Sequence, residues 1–385
     1  MNKMKKRILF LAYNMGGGGA EKVLVNLINA LDPKRYDISL VTYTISNARN
    51  IEVKTPVKFI NLTEASNLFC GKKVSKHQRI YSSDFIKSFC NNLINKIVNF
   101  NGYDIKFAIL DSYYTTKFVP HESDCTVTII RIAGDYTQTG INIWKTIESP
   151  VHLKMQTDGY AKMTHIVAGS NGAADGFAQA TGVSSNVTII NNIFNIDELK
   201  NASMISIDEM KEHFVIGTVG RFHPTKGHMR LLEACHKLHC AGFLFELWLL
   251  GTGPDELELR KKVDEYGMQN VRFLGYQENP YKYMRYFDLY VNPAFSEGFP
   301  NAVCEAVILG IPCVVADHAG EKEIFGDNNE YGMVVENSEE GIYRGIEQML
   351  SDESLYRHYK EAVLKRADFF DQEKVLAQYE ALFNS

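Results

Sequence analysis

No run of 18 apolar residues occurs anywhere in this 385-residue chain, so no membrane-spanning helix is expected. Cysteine is scarce and badly placed for crosslinking: there are seven, an odd number, with no Cys-x-x-Cys pair. This argues against a disulfide scaffold and for free thiols in a reducing cytoplasm. One cluster, Cys235, His236, His239 and Cys240, falls on an expected helix. Its four-residue spacings pair Cys235 with His239 and His236 with Cys240 on two faces, so the four do not converge on one ion. The opening Met1-Asn2-Lys3-Met4-Lys5-Lys6-Arg7 is basic, as in an export signal. The apolar run after it is short and flows directly into glycines, so it reads as a first strand.

What is present is an ordinary globular composition, 45% hydrophobic and 23% charged, long enough for two or three domains. The charge is uneven. Residues 1–200 hold 23 Lys+Arg against 16 Asp+Glu, a net of +7, and residues 201–385 hold 18 against 30, a net of −12. Arg7 to Tyr13 reads as a buried strand, Gly16 to Gly19 as a loop, and Ala20 to Leu31 as a helix with Val23, Leu24, Leu27, Ile28 and Leu31 at helical spacing. Asp37 to Tyr43 is the next strand. Such a β-loop-α-β unit opens a doubly wound sheet. Further strands are expected at Ile105–Leu110, Thr126–Ile132, His165–Ala168 and Val187–Ile190. A polar linker is expected near Asn191 to Asn201. A second series then starts: strand Val215–Gly220, loop Arg221–Gly227, helix His228–Cys240, and strands Phe245–Leu250, Val271–Gly275, Leu289–Asn292 and Cys313–Ala316. Alternating strands and helices in both halves predict two similar α/β domains.

Between residues 62 and 100, Lys72, Lys73, Lys76, Arg79, Lys87 and Lys96 interleave with Leu68, Phe69, Ile80, Tyr81, Phe85, Ile86, Phe89 and Leu93. That pattern suits a basic amphipathic helix lying on an anionic membrane, and equally a helix packed on the sheet with a solvated basic face.

Two segments concentrate chemistry. Glu297-Gly298-Phe299-Pro300-Asn301-Ala302-Val303-Cys304-Glu305-Ala306 sets two carboxylates eight residues apart across a helix start. Pro300 and Asn301 are start signals, and Gly310 with Pro312 is a stop. The helix N-terminus between the carboxylates is an anion site, and the carboxylates can accept hydroxyl hydrogen bonds. Taken alone, Glu-x7-Glu also fits a surface helix with solvated glutamates. The loop Arg221-Phe222-His223-Pro224-Thr225-Lys226-Gly227 follows a strand and precedes a helix, where open α/β sheets bind ligands. Arg221 as a fork and Lys226 as a point charge can neutralise a diphosphate. The early glycines do not give G-x-G-x-x-G, because position 21 is Glu, which disfavours a dinucleotide-dependent dehydrogenase.

Gly220-Arg221-x4-Lys226-Gly227, Phe273-Leu274-Gly275-Tyr276, Pro293 to Asn301, Glu305-Ala306 and the early Gly17-Gly18-Gly19-Ala20-Glu21 together resemble the retaining GT-B glycosyltransferases of family 4, and the resemblance covers nearly the whole chain. It implies two Rossmann-like domains facing across a cleft. Residues 1–195 would bind acceptor, residues 196–370 would bind nucleotide sugar, and a helix in residues 371–385 would cross back to the first domain. By the same resemblance, Arg221 and Lys226 grip the donor diphosphate and stabilise its departure. Glu297 holds the donor sugar and Glu305 the ribose hydroxyls. Backbone groups of Gly298, Phe299, Asn301 and Ala302 meet sugar and phosphate oxygens. Gly18 and Gly19 close over the phosphates, with Gly220 in the opposing loop, and Gly275 and Tyr276 lie near the nucleobase.

In one respect the chain departs from the family. Many relatives carry a His near the acceptor, where this chain reads Arg131-Ile132-Ala133-Gly134-Asp135-Tyr136. Asp135 could orient the acceptor hydroxyl or take its proton, or serve as an ordinary loop cap. In a front-side retaining step the departing phosphate takes that proton and Asp135 is dispensable. No Asp-x-Asp stands in a convincing context, so no metal and no cofactor is expected. The resulting expectation is a hexosyltransferase using a nucleotide sugar, UDP-linked, and a lipid-linked oligosaccharide acceptor for capsule or O-antigen-type glycan. It would be cytoplasmic and peripheral to the inner membrane face. A nucleotide-sugar epimerase of similar build and a non-catalytic subunit are the alternatives.

Overall fold

The computed structural model describes residues 4–12, 15–16, 18–42, 53–61, 102–109, 126–132, 134, 157–208 and 211–385. The segment 62–100 and Asp135 lie outside these, as do Gly17 and Ala133. Thirteen described strands form two sheets. The first holds β1 (Lys6–Ala12), β2 (Tyr36–Thr42), β3 (Val57–Asn61), β4 (Ile105–Ile109), β5 (Val127–Arg131), β6 (His165–Ala168) and β7 (Val187–Ile189), in the order β3-β2-β1-β4-β5-β6-β7. The second holds β8 (Phe214–Val219), β9 (Phe245–Leu250), β10 (Val271–Gly275), β11 (Leu289–Asn292), β12 (Cys313–Ala316) and β13 (Met333–Val335), in the order β10-β9-β8-β11-β12-β13. Every pairing is parallel; Ile8, for example, sits between Ile38 and Ile105. Parallel strands covered on both faces need continuous apolar runs. Accordingly β9, Phe-Glu-Leu-Trp-Leu-Leu, is buried at every position.

Strand order reverses between β1 and β4 in one sheet and between β8 and β11 in the other. A crevice opens at such a point, outside the carboxyl ends of the strands. The loops leaving β1 and β8 are the glycine loop and the Arg221 loop, so the two sequence motifs mark the two switch points.

The helices follow from their apolar spacing. Gly19–Ala30 buries Val23, Leu24, Leu27 and Ile28 against the first sheet. His228–Cys240 buries Leu231, Leu232, Cys235 and Leu238 against the second. Cys235 is therefore a core residue, while His236 stacks on Tyr266 with ring centroids 3.8 Å apart and Cys240 is exposed. After β7 the chain turns at Asn191–Asn195, and Ile196–Ser203 is helical rather than an irregular linker. The Asn195 side chain caps it by accepting from the Glu198 N–H at 3.1 Å, and Leu199 joins the second core. β3 and β13 are edge strands: β3, Val-Lys-Phe-Ile-Asn, exposes Lys58 and Phe59 and carries no continuous apolar run, and β13 has three residues. Helix Gln372–Phe383, the last in the chain, buries Val375, Tyr379 and Phe383 among β1, β2 and β4 residues of the first core.

Candidate functional site

Between the two switch points lies a cleft of about 1340 Å³. Its walls include Gly18, Gly19 and Gly134 on one side, and Gly220, Arg221, Lys226, Tyr276, Glu297, Gly298, Phe299, Asn301, Ala302 and Glu305 on the other. The structure therefore gathers into one space residues separated by nearly 300 positions. Gly275 does not line it. It ends β10, its carbonyl accepting from the Gly251 N–H at 2.8 Å, and its left-handed turn delivers the 40%-exposed Tyr276 to the wall.

The Arg221 loop is held by backbone. Gly220 N–H donates to Leu250 O at 3.0 Å, Phe222 N–H to Thr252 O at 3.0 Å, and Asp255 N–H to Phe222 O at 3.1 Å. The loop after β9 reaches this close because it is Gly251-Thr252-Gly253. A Cβ at Gly251 would sit 1.8 Å from Gly220 O, and one at Gly253 2.1 Å from Phe222 O. Arg221 itself is exposed to the cleft and makes no ion pair among the described residues. Lys226, five residues on, pairs with Glu297.

In helix Asn301–Ile308 the two start signals exchange the places their residue types suit: Pro300 is the cap and Asn301 the first helical residue. No side chain caps this end, so its N–H groups face the cleft unmasked. Asn301 is instead committed across the cleft, donating to Gly19 O at 2.7 Å. Glu305, a turn later, is buried, and Lys22 of the opposite domain reaches its Oε1 at 2.5 Å. Each carboxylate of the Glu-x7-Glu pair is thus matched by one lysine, Lys226 from its own domain and Lys22 from the other. Burial would lower the Lys22 pKa, but the Glu305 charge outweighs it and raises the ammonium above its usual value.

Further contacts seat the first domain against the Glu297 loop. Ser170 caps helix Asn171–Thr181 and also donates to Gly298 O at 2.8 Å. Asn192 donates to Phe299 O at 3.1 Å and to Asn301 Oδ1 at 2.5 Å. Arg131, at the end of β5, is buried and binds Ile190 O at 2.9 Å, the Tyr379 hydroxyl at 2.5 Å and the Asn192 side chain. Beneath the loop, His318 pairs with Glu321 at 2.7 Å and contacts Ala294 O at 2.7 Å through its other nitrogen.

Four residues here were not singled out by sequence reasoning. Lys22, Tyr281, His228 and Arg131 carry no motif spacing of their own. Only their proximity to the glycine loop, to Gly227 or to a strand end hinted at them. His228 begins its helix buried against Phe222, and its Nδ1 has no partner among the described residues. Burial, with the nearby Lys226 charge, pushes its pKa down to about 3, so the imidazole stays neutral at the cleft wall.

Residues 200–366 match the family described as glycosyl transferases group 1. The chain is 27% identical, over 97% of both chains, to the N-acetylgalactosamine-N,N'-diacetylbacillosaminyl-diphospho-undecaprenol 4-alpha-N-acetylgalactosaminyltransferase of Campylobacter jejuni. It is 26% identical to the putative glycosyltransferase EpsF of Bacillus subtilis, covering 84% of this chain and 82% of that one. Among solved structures it superposes on Anabaena Alr3699/HepE, crystallised with UDP and glucose, with a TM-score of 0.75 at 17% identity over 98% and 99% of the two chains. The sucrose-phosphate synthase of Thermosynechococcus elongatus superposes at 0.74 with 15% identity, over 99% and 98%. With the paired parallel sheets and the cleft between their switch points, these likenesses mark the protein as a glycosyltransferase of the GT-B fold, with residues 200–366 matching glycosyl transferases group 1.

Proposed function

We propose that the protein transfers a hexose or N-acetylhexosamine, with retention of configuration, from a UDP-linked sugar to a lipid-linked oligosaccharide during synthesis of a bacterial surface glycan. The observation that carries the donor half is the clustering of Arg221, Lys226, Glu297, Glu305 and an uncapped helix N-terminus around one cleft. Cations and a positive helix end suit a diphosphate, and carboxylates suit the hydroxyls of ribose and sugar. The acceptor half draws support from the Campylobacter relative, whose name specifies a diphospho-undecaprenol-linked substrate.

On this reading the diphosphate takes Lys226 from Glu297 and draws Arg221 down onto the phosphates. Glu297, released, accepts from sugar hydroxyls. As the anomeric bond breaks, charge grows on the leaving phosphate. Arg221, Lys226 and the Asn301–Ile308 helix end stabilise that charge in a preorganised site. The departing phosphate then takes the acceptor proton on the same face, so no protein base is required. Arg221 and Lys226 supply the positive charge that a metal would otherwise bring, and the proposed reaction is metal-independent. Acceptor presentation at the inner membrane face, through the basic 62–100 segment, belongs to the same proposal.

A thermal-shift panel of UDP, GDP, ADP and their sugars, with and without EDTA, tests the donor half. A ligand at 100 times its dissociation constant adds about 2.7 kcal/mol. Stabilisation by a UDP-sugar that EDTA leaves intact is the expected outcome. Stabilisation by GDP-sugars alone replaces the donor, and loss of the shift in EDTA overturns the metal-independent step.

A further inference from the structure

Glu305 is where the two domains share one carboxylate. Its Oε1 accepts from Lys22 Nζ at 2.5 Å and from the Tyr281 hydroxyl at 3.2 Å. Lys22 also contacts that hydroxyl, and its ammonium lies 4.7 Å from the Tyr281 ring centroid. Among the described residues no donor reaches Oε2. The Glu305 side chain is 4% exposed and that of Lys22 31%. A carboxylate so buried requires a compensating cation. Its own domain provides none among the described residues; the cation arrives on the first turn of helix Gly19–Ala30, directly after the glycine loop. Carboxylate and ammonium can meet only when that loop is seated across the cleft, as it is here with Asn301 bonded to Gly19 O at 2.7 Å.

We propose that Lys22 is a positioning residue that completes the ribose subsite from the opposite domain. It fixes the Glu305 carboxylate through Oε1, with Tyr281 as the second anchor, and leaves Oε2 to accept from a ribose hydroxyl. Nucleoside recognition is thereby tied to closure: the open form holds an unaligned carboxylate, and the closed form holds an aligned one. The inference rests on reading Glu305 as the ribose ligand. It assigns Lys22 no role on the diphosphate, because releasing its ammonium would leave the 4%-exposed Glu305 carboxylate without a cation, whereas Glu297, the partner of Lys226, is 20% exposed and can give its lysine up.

The test is calorimetric titration of UDP, 2′,3′-dideoxy-UDP and inorganic diphosphate into wild type, Lys22→Met, Lys22→Arg and Glu305→Gln, each first checked for an unaltered melting temperature. Lys22→Met is expected to weaken UDP ~10-fold, as loss of a charge-assisted contact does, and to leave inorganic diphosphate unaffected. The loss disappears with dideoxy-UDP, and Lys22→Arg recovers part of it. In turnover, the donor KM rises while kcat holds. Equal weakening of UDP and diphosphate would make Lys22 a phosphate ligand and overturn the proposal. Unchanged or tighter UDP binding by Lys22→Met would overturn it too. If Glu305→Gln binds UDP as wild type does, the ribose reading of Glu305 fails in its own right, whatever Lys22 does.

Discussion

At the scale of the residue, the cleft is a set of charges that answer one another before any substrate arrives. Lys226 holds Glu297 and Lys22 holds Glu305, while Arg221 makes no ion pair among the described residues. Lys226→Ala is expected to lower kcat by about 10²–10³-fold, the usual loss when one charge-stabilising group is removed, with single-turnover kinetics as the measurement. An intact rate would place the diphosphate elsewhere. The two buried histidines make separate statements about pH. His228, pushed down to about 3, binds its proton less tightly folded than unfolded, so its contribution is full above the ordinary value of 6.5 and is lost as pH falls towards 3. His318 has the opposite sign. Burial depresses it, but the bond and charge of Glu321, with Ala294 O, outweigh that and raise it above 6.5. Its contribution is full below 6.5 and fades as pH rises through the raised value. His228→Asn should therefore flatten the acid limb of a melting-temperature profile and leave the alkaline limb in place.

At the scale of the element, much was legible. Strands β6, β9, β11 and β12 and the helix His228–Cys240 coincide residue for residue with the sequence reading, because buried parallel strands and an amphipathic helix announce themselves by apolar run and period. The half-buried edge strand β10 also coincides, its apolar Val271, Phe273 and Leu274 ending at Gly275. Edge strands β3 and β13 and helix Ile196–Ser203 do not. β3 exposes Lys58 and Phe59 and breaks any apolar run, β13 has three residues, and the helix is polar on most of its surface. Tyr379, in the last helix, packs on Phe107 at 5.8 Å and receives the Arg131 bond. Arg131→Met would strand Ile190 O and the side chains of Tyr379 and Asn192. A loss of about 2–3 kcal/mol is expected by urea denaturation, the range for buried polar groups left unsatisfied.

Viewed as a whole molecule, closure depends on close backbone approach. Gly172, at the start of helix Asn171–Thr181, faces the other domain so tightly that a Cβ would lie 2.3 Å from Ala319 O. Both partners are backbone or helix start, so neither can step aside. Gly172→Ala should leave both sheets folded, wedge the domains apart and weaken donor use by up to ~10²-fold, the scale of an ångström-sized misplacement. Small-angle scattering would show the larger radius, and a wild-type profile with wild-type kinetics would show that this contact does not govern closure.

By itself the sequence determined the doubly wound class, the two switch-point loops and the Glu297–Glu305 helix, since each is written in contiguous residues with a period or a punctuating Gly or Pro. Its Gly-Arg-x4-Lys-Gly and Glu-x7-Glu spacings also singled out residues that the fold gathers in the cleft, because each motif sits on one strand-loop-helix unit. Tertiary structure alone decided which lysine meets Glu305, that Arg131 and Asn192 tie the last helix to Asn301, and that Gly172 meets Ala319. Those pairs lie between about 60 and 280 positions apart. Local propensity has no bearing on contacts at that separation; packing within the first domain brings Arg131 to Asn192 and Tyr379, and the docking of one domain on the other brings the remaining pairs within bonding distance.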